Sequence, residues 1–404
     1  MSERILIAGA GPAGAATALA MLRAGLPASD IAVLDAMTSA AETIREPDSR
    51  ILALNAGSCR FLESLGVWPA LAAAAHPMRS IALSDTALEA DIRPLSLGFA
   101  AAEGEPLAHL VPLGLLQKVL RSALAEVGVI LRPEIIRSFR EEGDKLLVET
   151  NRSRQPVSLL VGADGARSAV RRIAGIPLHG WAYGQVALTG IVEHSGRHHG
   201  EAIQHFLPGG PFALLPLEEG RSSMVWSERA EVAKRMLALP PEELRAQIDR
   251  RAAGWRGTIT GIGRISSHPL SLGLARRFVG PRLALVADAA HVVHPLAGQG
   301  LNLGFGDAAT LAEIVIEHLR VGLDPGDPAL LERYQARRRP AAAAMAAATE
   351  GLNRLFSNAV GPLRVLRDAG LNLVNRSDRL KDMFRQAAAG RGAHEPRLFR
   401  GEPI

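Results

Sequence analysis

The 404-residue chain has few of the residues on which several protein classes depend. Its one cysteine, Cys59, excludes a disulfide scaffold and any cysteine-based zinc or iron–sulfur site. Four of its 46 basic residues are lysines, and none follows a glycine-rich phosphate loop, which excludes a Walker A motif. Aromatic residues make up 4%, too few to stack a row of bases, so no nucleic-acid partner is expected. No run of about 18 apolar residues is free of charge, so no transmembrane helix is expected.

Apolar residues and arginines are what the chain has in quantity. Hydrophobic residues make up 48%, enough to bury a sizeable core, and the formal net charge is +5. The scattered arginines are typical of an Ala- and Arg-rich composition, or alternatively indicate affinity for anionic phosphates or lipid headgroups. Acidic Glu3 stands where a signal peptide needs a basic flank, so a cytoplasmic location is expected.

The pattern of strands and helices predicts an α/β fold with two sheets. Apolar runs at 4–8, 31–35, 159–163 and 282–287 are typical of parallel strands joined by crossover helices. Four strands within 181–227 are typical of an antiparallel sheet. We therefore predict a discontinuous nucleotide-binding domain, an inserted sheet domain and a C-terminal helical segment. The nucleotide-binding domain comprises residues 1–76, 106–180 and 270–325. The inserted sheet domain comprises 77–105 and 181–269, and the C-terminal helical segment comprises 326–404.

The first motif is a glycine-rich turn between a strand and a helix, Gly9-Ala-Gly11-Pro12-Ala13-Gly14. Its glycines permit a tight turn, let the backbone approach a pyrophosphate, and let the helix pack closely on the strand. The helix N-terminus adds a partial positive charge for the phosphates. Asp35 ends the next strand, where a carboxylate accepts hydrogen bonds from a ribose. The motif predicts a dinucleotide, but by itself it does not separate NAD from FAD.

The second motif follows the strand that ends at residue 163. Asp164 and Gly165 lead into a helix with Ser168 as a candidate N-cap and Arg171 in its first turns. From the residues alone, an ordinary strand-to-helix turn is the favoured interpretation.

The third motif brings Asp288 to the carboxyl end of a buried strand, where open α/β sheets bind ligands. Pro295 stiffens the turn that follows, and Gly298 and Gly300 leave backbone N–H groups at the start of a helix. A second turn of this kind suits a long cofactor with a ribityl chain and a large ring. His291 and His294 form an H-x-x-H pair, but no further ligand follows at helical spacing and Pro295 interrupts a helix. No metal site is predicted.

These three elements, in this order, resemble the class A flavoprotein monooxygenases. Further segments indicate the subfamily, because they resemble the ubiquinone-biosynthesis hydroxylases (the UbiH/UbiF/VisC family). These segments are Asp48-x-Arg50-x-x-Ala53-Leu54, Leu65–Trp68, Phe212–Pro216, Val225–Ser227, His294–Asn302, Leu352–Ser357 and Arg367–Leu371. The likeness covers about residues 3–390. It implies a Rossmann-like FAD-binding domain of the para-hydroxybenzoate-hydroxylase-like type with an inserted antiparallel-sheet substrate domain.

The resemblance also implies roles for individual residues. Gly9, Gly11 and Gly14, with Pro12 and Ala13, hold the FAD pyrophosphate, and Asp35 holds the ribose. Arg50, Gln117 and Asp164 contact the cofactor, and Asp288 binds its ribityl chain or pyrophosphate. Pro295, Gly298, Gly300, Leu301 and Asn302 line the isoalloxazine ring. Ala287 replaces a glycine of the family, which suits a backbone with negative φ, and Gly306 replaces a basic residue.

The implied activity is hydroxylation of an electron-rich phenol ring by O2, through a flavin C4a-hydroperoxide, with NAD(P)H or another reductase as electron donor. The implied substrate is a prenylated aromatic intermediate of ubiquinone biosynthesis, held by Phe206, Phe212, Leu214 and Trp226 unless these only form the core. His294 is the weak candidate for a catalytic residue, with a structural hydrogen-bonding role as its alternative. Alternative functions are hydroxylation of a small soluble phenol, reduction of a prenyl chain, and a non-catalytic FAD-binding subunit of a quinone-biosynthesis complex.

A membrane or partner contact is predicted for the C-terminal helices, because a prenylated substrate must be collected from a membrane. Arg333, Arg337, Arg338 and Arg339 would face anionic headgroups. Leu352, Leu355, Phe356, Leu363, Val365 and Leu366 would dock the segment. We expect residues 329–390 to be dispensable for the nucleotide fold and the protein to be cytoplasmic, peripheral to the inner membrane.

Overall fold

The structure is a computed structural model that describes residues 4–36, 50–85, 97–101, 105–253, 257–294, 298–356 and 395–404. Its strands are β1 Ile5–Ala8, β2 Ile31–Leu34, β3 Ile51–Leu54, β4 His76–Met78, β5 Ser80–Asp85, β6 Leu97–Ala100, β7 Ala108–Pro112, β8 Leu131–Arg132, β9 Ile136–Glu142, β10 Lys145–Thr150, β11 Arg154–Val157, β12 Leu159–Gly162, β13 Leu178–His194, β14 Glu201–Leu207, β15 Gly210–Pro216, β16 Arg221–Arg229, β17 Ile259–Ile262, β18 Ser266–Ala275, β19 Val279–Gly280, β20 Leu283–Leu285 and β21 His291–Val292.

The helices are α1 Pro12–Arg23, α2 Ala56–Ser64, α3 Trp68–Ala72, α4 Leu113–Glu126, α5 Ala169–Ile173, α6 Ala230–Leu237, α7 Pro241–Ala252, α8 Gln299–Arg320, α9 Pro328–Phe356 and α10 Arg397–Arg400. Single 3-10 turns lie at Ala28–Asp30 and Ala287–Ala289. None of these described helices has both the length and the apolar composition needed to span a lipid bilayer.

The nucleotide-binding sheet has the strand order β19-β20-β12-β1-β2-β8. All neighbours except β19 and β20 pair in parallel. β1, β2 and β12 are buried along their whole length, as their continuous apolar sequences require of strands covered on both faces. The apolar runs that predict parallel strands therefore meet in one sheet, and that prediction is confirmed.

The inserted sheet has the order β21-β18-β13-β16-β15-β14-β5-β6, with β17 also paired to β13. The four strands expected within 181–227 are present as β13 to β16 and pair antiparallel, which confirms that prediction. β5, from the segment 77–105, pairs with β14 in parallel, so the sheet is not purely antiparallel. The domain boundary expected at residue 270 falls inside β18, which pairs with β13 in this sheet.

The C-terminal segment cannot be separated from the nucleotide fold. α9 buries Leu330, Leu331 and Tyr334 in the main hydrophobic core. The Tyr334 hydroxyl donates a hydrogen bond to the Leu285 carbonyl of β20 at 2.7 Å. The expectation that residues from 329 onward are dispensable is therefore wrong for the start of α9, because its apolar side chains complete the core beside the sheet.

Candidate cofactor and substrate site

The glycine turn between β1 and α1 divides into two packing positions and one open position. Gly9 has φ of 107°, and a Cβ there would lie 2.4 Å from the Ala163 carbonyl oxygen. A Cβ on Gly14 would lie 1.9 Å from the Gly9 carbonyl oxygen. A Cβ on Gly11 would meet nothing within 4 Å. The fold itself thus requires glycine at positions 9 and 14, whereas Gly11 leaves room for a ligand beside the start of α1.

This turn opens into a cleft of about 760 Å³. Five of the residues predicted to contact the cofactor lie along it: Gly9, Gly11, Asp35, Gln117 and Asp164. Lys118, Arg121, Ser122 and Glu134 also line it, and the sequence interpretation missed them. Pro12 and Ala13 form the first turn of α1 above the glycines.

Arg121 forms an ion pair with Asp35, and both residues line this cleft. Asp35 is largely buried, and the Arg121 guanidinium donates to its Oδ2. The signal was present in the sequence, since Gln117 and Arg121 are four residues apart and so share one face of α4. Arg121 therefore orients the carboxylate that is predicted to hold the ribose.

Asp164 lines the cleft, and one of its carboxylate oxygens caps the start of α5. Its Oδ2 accepts hydrogen bonds from the backbone N–H groups of Ala169 at 2.6 Å and Val170 at 3.1 Å. Its Oδ1 is buried and has no hydrogen-bond partner among the described residues. Ser168 caps the same helix by accepting from the Arg171 N–H at 2.9 Å, which confirms the N-cap interpretation.

Arg171 connects the second motif to the third. Its buried guanidinium donates to the carbonyl oxygens of Ala289 at 2.8 Å and Ala166 at 3.0 Å. The turns that carry Asp164 and Asp288 are thereby held together at the carboxyl ends of β12 and β20, which are adjacent in the sheet.

Asp288 is the exposed residue of a turn whose other residues are buried. Protein surrounds the carboxyl group although the side chain is accessible to solvent. Burial raises its pKa, while the nearby His291 and Arg50 oppose that shift. Arg50, just before β3, is exposed, and its backbone carbonyl accepts from the Leu113 N–H at 3.0 Å.

Ala287 has φ of 53°, so the expectation of a negative φ at this position is wrong. An L-residue in the left-handed region costs about 1–2 kcal/mol relative to ordinary helical backbone, which explains why the family favours glycine there. Gly304 of α8 faces the alanine, and a Cβ on Gly304 would lie 2.6 Å from the Ala287 Cβ. The helix therefore supplies the space that the extra methyl group takes.

A buried hydrogen-bonded triad of Asp307, His291 and Arg338 lies beside this turn. Asp307 accepts hydrogen bonds from the Ala287 N–H at 3.0 Å, from His291 Nε2 at 2.5 Å and from Arg338 Nε at 2.8 Å. Burial alone would raise the pKa of Asp307, but the charges and hydrogen bonds of His291 and Arg338 hold it below its usual value. The triad fixes the backbone on which Asp288 is displayed.

The same triad explains why glycine stands at position 306, where the family often has a basic residue. A Cβ on Gly306 would lie 2.5 Å from a terminal nitrogen of Arg338. Arg338 also donates to the Leu303 carbonyl at 3.1 Å. The arginine that α9 contributes thus occupies the space above Gly306, and a larger residue at 306 would displace it.

The start of α8 is tied to the neighbouring β3 and α2 by Asn302. Its Nδ2 donates to the Ala53 carbonyl at 2.8 Å, and its Oδ1 accepts from the Asn55 N–H at 3.1 Å and the Ser58 hydroxyl at 2.7 Å. Asn302 therefore positions the turn and has its amide engaged within the protein. Gly298 precedes the helix with φ of 64°, and Gly300 and Leu301 lie in its partly buried first turn. Pro295 lies outside the described residues.

Three of the four side chains expected to hold the substrate lie in the core of the inserted domain. Phe212, Leu214 and Trp226 pack with residues of α6 and α7, and the Arg251 guanidinium lies 4.0 Å from the centre of the Trp226 ring. Phe206 lies on the other face, because the strand register places it two residues from Gln204 and opposite that core. The alternative that these side chains only form the core of the domain is thus confirmed for Phe212, Leu214 and Trp226. Side chains alternate between the two faces of a strand, which is why Phe206 lies on the other face.

Each of the four arginines of α9 lies near a partner within the protein, and one of them is buried. Arg338 is buried in the triad, Arg337 pairs with Glu313 at 2.8 Å, and Arg333 lies 3.9 Å from Glu317. Arg339 Nε lies 3.4 Å from the Ala275 carbonyl. Because Arg338 is buried, the prediction that it faces headgroups is wrong. Arg333 and Arg337 are exposed and Arg339 is partly exposed, and a contact of these three with headgroups stays a prediction. Leu352 is exposed, the side chain of Phe356 is not described, and Leu363, Val365 and Leu366 lie outside the described residues.

Comparison with known proteins agrees with this geometry. The FAD binding domain family matches residues 3–349. The ubiquinone hydroxylase UbiL of Rhodospirillum rubrum is 39% identical over 99% of this chain and 93% of its own length. The 3-demethoxyubiquinol 3-hydroxylase of Escherichia coli is 32% identical over 96% of this chain and 98% of its own length. The chain belongs to the ubiquinone-biosynthesis hydroxylase family of FAD-dependent monooxygenases.

The fold of this monooxygenase is shared with solved flavoproteins. p-Nitrophenol 4-monooxygenase PnpA from Pseudomonas putida superposes with a TM-score of 0.76 over 97% of this chain and 99% of that one, at 19% identity. At that identity the likeness concerns the fold alone. It confirms the Rossmann-like FAD domain with an inserted sheet domain, and membership of the family gives FAD as the cofactor.

Proposed function

We propose that this monooxygenase hydroxylates the aromatic ring of a prenylated phenol intermediate of ubiquinone biosynthesis, with O2 as co-substrate and NAD(P)H or another reductase as electron donor. The carrying observation is that the three cofactor turns follow β1, β12 and β20, which are adjacent in the sheet, and that Arg171 links the second turn to the third. The full-length likeness to two relatives named for ubiquinone substrates supports the substrate class.

The described residues fit FAD. Gly11 leaves open space at the start of α1, the cleft runs from there to Asp35, and Asp164 Oδ1 is a buried acceptor without a partner among the described residues. In this proposal Gly9, Gly11 and Gly14 hold the pyrophosphate. Asp35, oriented by Arg121, accepts from the ribose, and Asp288 accepts from the ribityl chain. Arg50 and Gln117 add further contacts. Bound FAD would supply the activation of O2 for transfer of one oxygen atom to the ring.

The substrate is proposed to lie against the face of the inserted sheet that is opposite its own core. Ala187, Thr189, Ala213, Gln204 and Val225 share this face by strand register. These are small or polar side chains, which leave room for a ring. The far end of the same face packs on β3, β4 and β7 through Ile191, Leu215 and Ala202, so it is turned toward the nucleotide-binding domain. The surrounding sheet keeps water from the reacting centre.

Incubation of the FAD-loaded protein with 2-prenylphenol, O2 and NADPH is expected to yield a product with one added oxygen, detected by mass analysis. Asp288→Ala should bind FAD about 10- to 150-fold more weakly, since a charge-assisted hydrogen bond contributes about 1.5–3 kcal/mol, and should lose product in parallel. A wild-type protein that binds FAD but hydroxylates neither 2-prenylphenol nor phenol would support the non-catalytic alternative instead.

The proposed membrane contact is limited to the exposed side chains of Trp181, Leu352 and Arg354. Trp181 and Leu352 are 45% and 43% exposed, and the exposed Arg354 lies 5.2 Å from the centre of the Trp181 ring. An aromatic, an aliphatic and a cationic side chain together suit an anionic lipid surface, where an arginine contributes about 1 kcal/mol.

Salt-sensitive binding of the full chain to anionic liposomes is therefore expected, and Trp181→Ser with Leu352→Ser should weaken it. Ile130→Ser, at an exposed isoleucine beside β8, is the matched control and should leave binding unchanged. Equal binding by both variants would contradict the contact. A truncation that removed α9 would not be a suitable test, because α9 belongs to the core.

A further inference from the structure

His294 is a buried imidazole whose two nitrogen atoms both lack a hydrogen-bond partner among the described residues. The residue is 1% exposed. Leaving a buried polar atom unpaired costs about 1–3 kcal/mol, and folded proteins rarely retain such atoms without a reason. The structural hydrogen-bonding role considered for His294 is therefore not what the described residues provide, and a bound ligand is the natural partner.

Two other buried histidines of the inserted sheet domain, His194 and His198, have both nitrogens paired, whereas His291 of β21 leaves its Nδ1 without a partner among the described residues. His194 Nδ1 lies 2.8 Å from the Gly196 carbonyl, and its Nε2 lies 3.0 Å from the Ser222 hydroxyl. His198 Nε2 lies 3.1 Å from the Glu218 carbonyl, and its Nδ1 accepts from the Gly200 N–H. A buried imidazole in this chain can therefore have hydrogen-bond partners for both nitrogens. His294 differs from His194 and His198 because neither of its nitrogens has one among the described residues.

Three parts of the chain converge on His294. The Tyr183 ring meets it edge-on, with ring centres 5.1 Å apart and planes at 74°. The Tyr183 hydroxyl donates to Glu350 Oε2 of α9 at 2.6 Å, and Arg354 pairs with the same carboxylate. Tyr183 stands in an irregularity of β13 between Ala182 and Val186, of the kind that re-aims side chains beside active sites. Packing therefore orients the imidazole and buries both of its nitrogens.

The charge state of His294 suits a neutral hydroxyl partner. Burial lowers the pKa of His294 to about 4, and Glu350 opposes that shift. At neutral pH the ring carries one N–H donor and one nitrogen acceptor. A phenol hydroxyl likewise offers one donor and acceptor lone pairs.

The position of His294 also suits the substrate. The residue follows β21, the edge strand of the inserted sheet, and shortly precedes α8 of the nucleotide-binding domain. It thus lies where the two domains meet, which is where the proposed function places the ring.

We propose that the His294 imidazole hydrogen-bonds the hydroxyl group of the aromatic substrate and so determines how the ring is oriented, with Tyr183 and Glu350 as positioning residues. This inference rests on the proposed function for the identity of the ligand.

The test compares two probes, 2-prenylphenol and its methyl ether 2-prenylanisole, in binding to the FAD-loaded protein. The wild type is expected to prefer the phenol about tenfold, the ratio that one net hydrogen bond provides. His294→Leu should bring that ratio close to one, leave FAD affinity within about twofold, and not lower Tm, because it removes two unpaired buried polar atoms. His294→Asn, which keeps a donor and an acceptor, should retain part of the preference.

His194→Leu is the matched control, since it is the same substitution at a buried histidine whose nitrogens are both paired. It should lower Tm and leave the phenol preference unchanged. An unaltered preference in His294→Leu, or a loss of FAD affinity in its place, overturns the inference, and the latter would assign the imidazole to the flavin. A wild type that shows the preference but no hydroxylation would overturn the proposed function while leaving the inference standing.

Discussion

Asp307→Asn is expected to lower the free energy of unfolding by about 3–5 kcal/mol, because it leaves the buried Arg338 cation without its counter-ion. Asp307 is fully buried and also holds the Ala287 N–H, so the Asp288 turn should loosen and FAD affinity should fall with stability. Urea unfolding of the protein with and without FAD measures both effects.

Glu332→Gln is the control for this variant, because Glu332 and Arg277 form an exposed ion pair for which about 1 kcal/mol or less is expected. If the two variants lose similar stability, the triad is not the energetic unit that its geometry indicates. The pH dependence supplies a second measure. Because the folded pKa of Asp307 is depressed, its stabilisation is complete above the usual value of 3.8 and is lost as pH falls through the folded pKa. The Asn variant should lose that part of the acid dependence.

Gly11→Ala and Gly14→Ala are expected to fail in different ways. Gly14→Ala places a methyl group 1.9 Å from the Gly9 carbonyl oxygen, so the fold should lose about 1–3 kcal/mol or more even without FAD. Gly11→Ala meets no protein atom within 4 Å and keeps an extended backbone that alanine adopts, so its stability without FAD should change by less than about 1 kcal/mol. Its methyl group should instead crowd the pyrophosphate and weaken FAD binding about 10- to 100-fold.

Thermal unfolding without FAD and titration with FAD separate these two outcomes. A Gly11→Ala protein that binds FAD as tightly as the wild type would show that the pyrophosphate does not approach this glycine. A Gly14→Ala protein as stable as the wild type would show that α1 can move away from β1 at little cost.

The buried strands and the two glycine turns followed from the sequence because they depend on local patterns. Continuous apolar runs specify parallel strands covered on both faces, and glycines at fixed spacing specify a tight turn between a strand and a helix. The placement of Asp35, Asp164 and Asp288 at strand ends is equally local. Arg121 was within reach of the same reasoning, since it follows Gln117 by one helical turn and α4 lies beside Asp35.

Which side chains share a face and which pair across the fold could not be obtained in this way. Phe206 and Phe212 have the same chemistry, and only the register of β14 and β15 sends them to opposite faces. The methyl group of Ala287 has room because Gly304 lies opposite, 17 positions later in the chain. Arg338 looked like part of a basic surface and is buried because Asp307 needs a counter-ion. The sequence by itself determined the α/β fold, the family and the cofactor turns, since short-range patterns encode them. The tertiary structure alone decided the charge pairing, the strand faces and the unpaired nitrogens of His294, because each depends on contacts between residues distant in the chain.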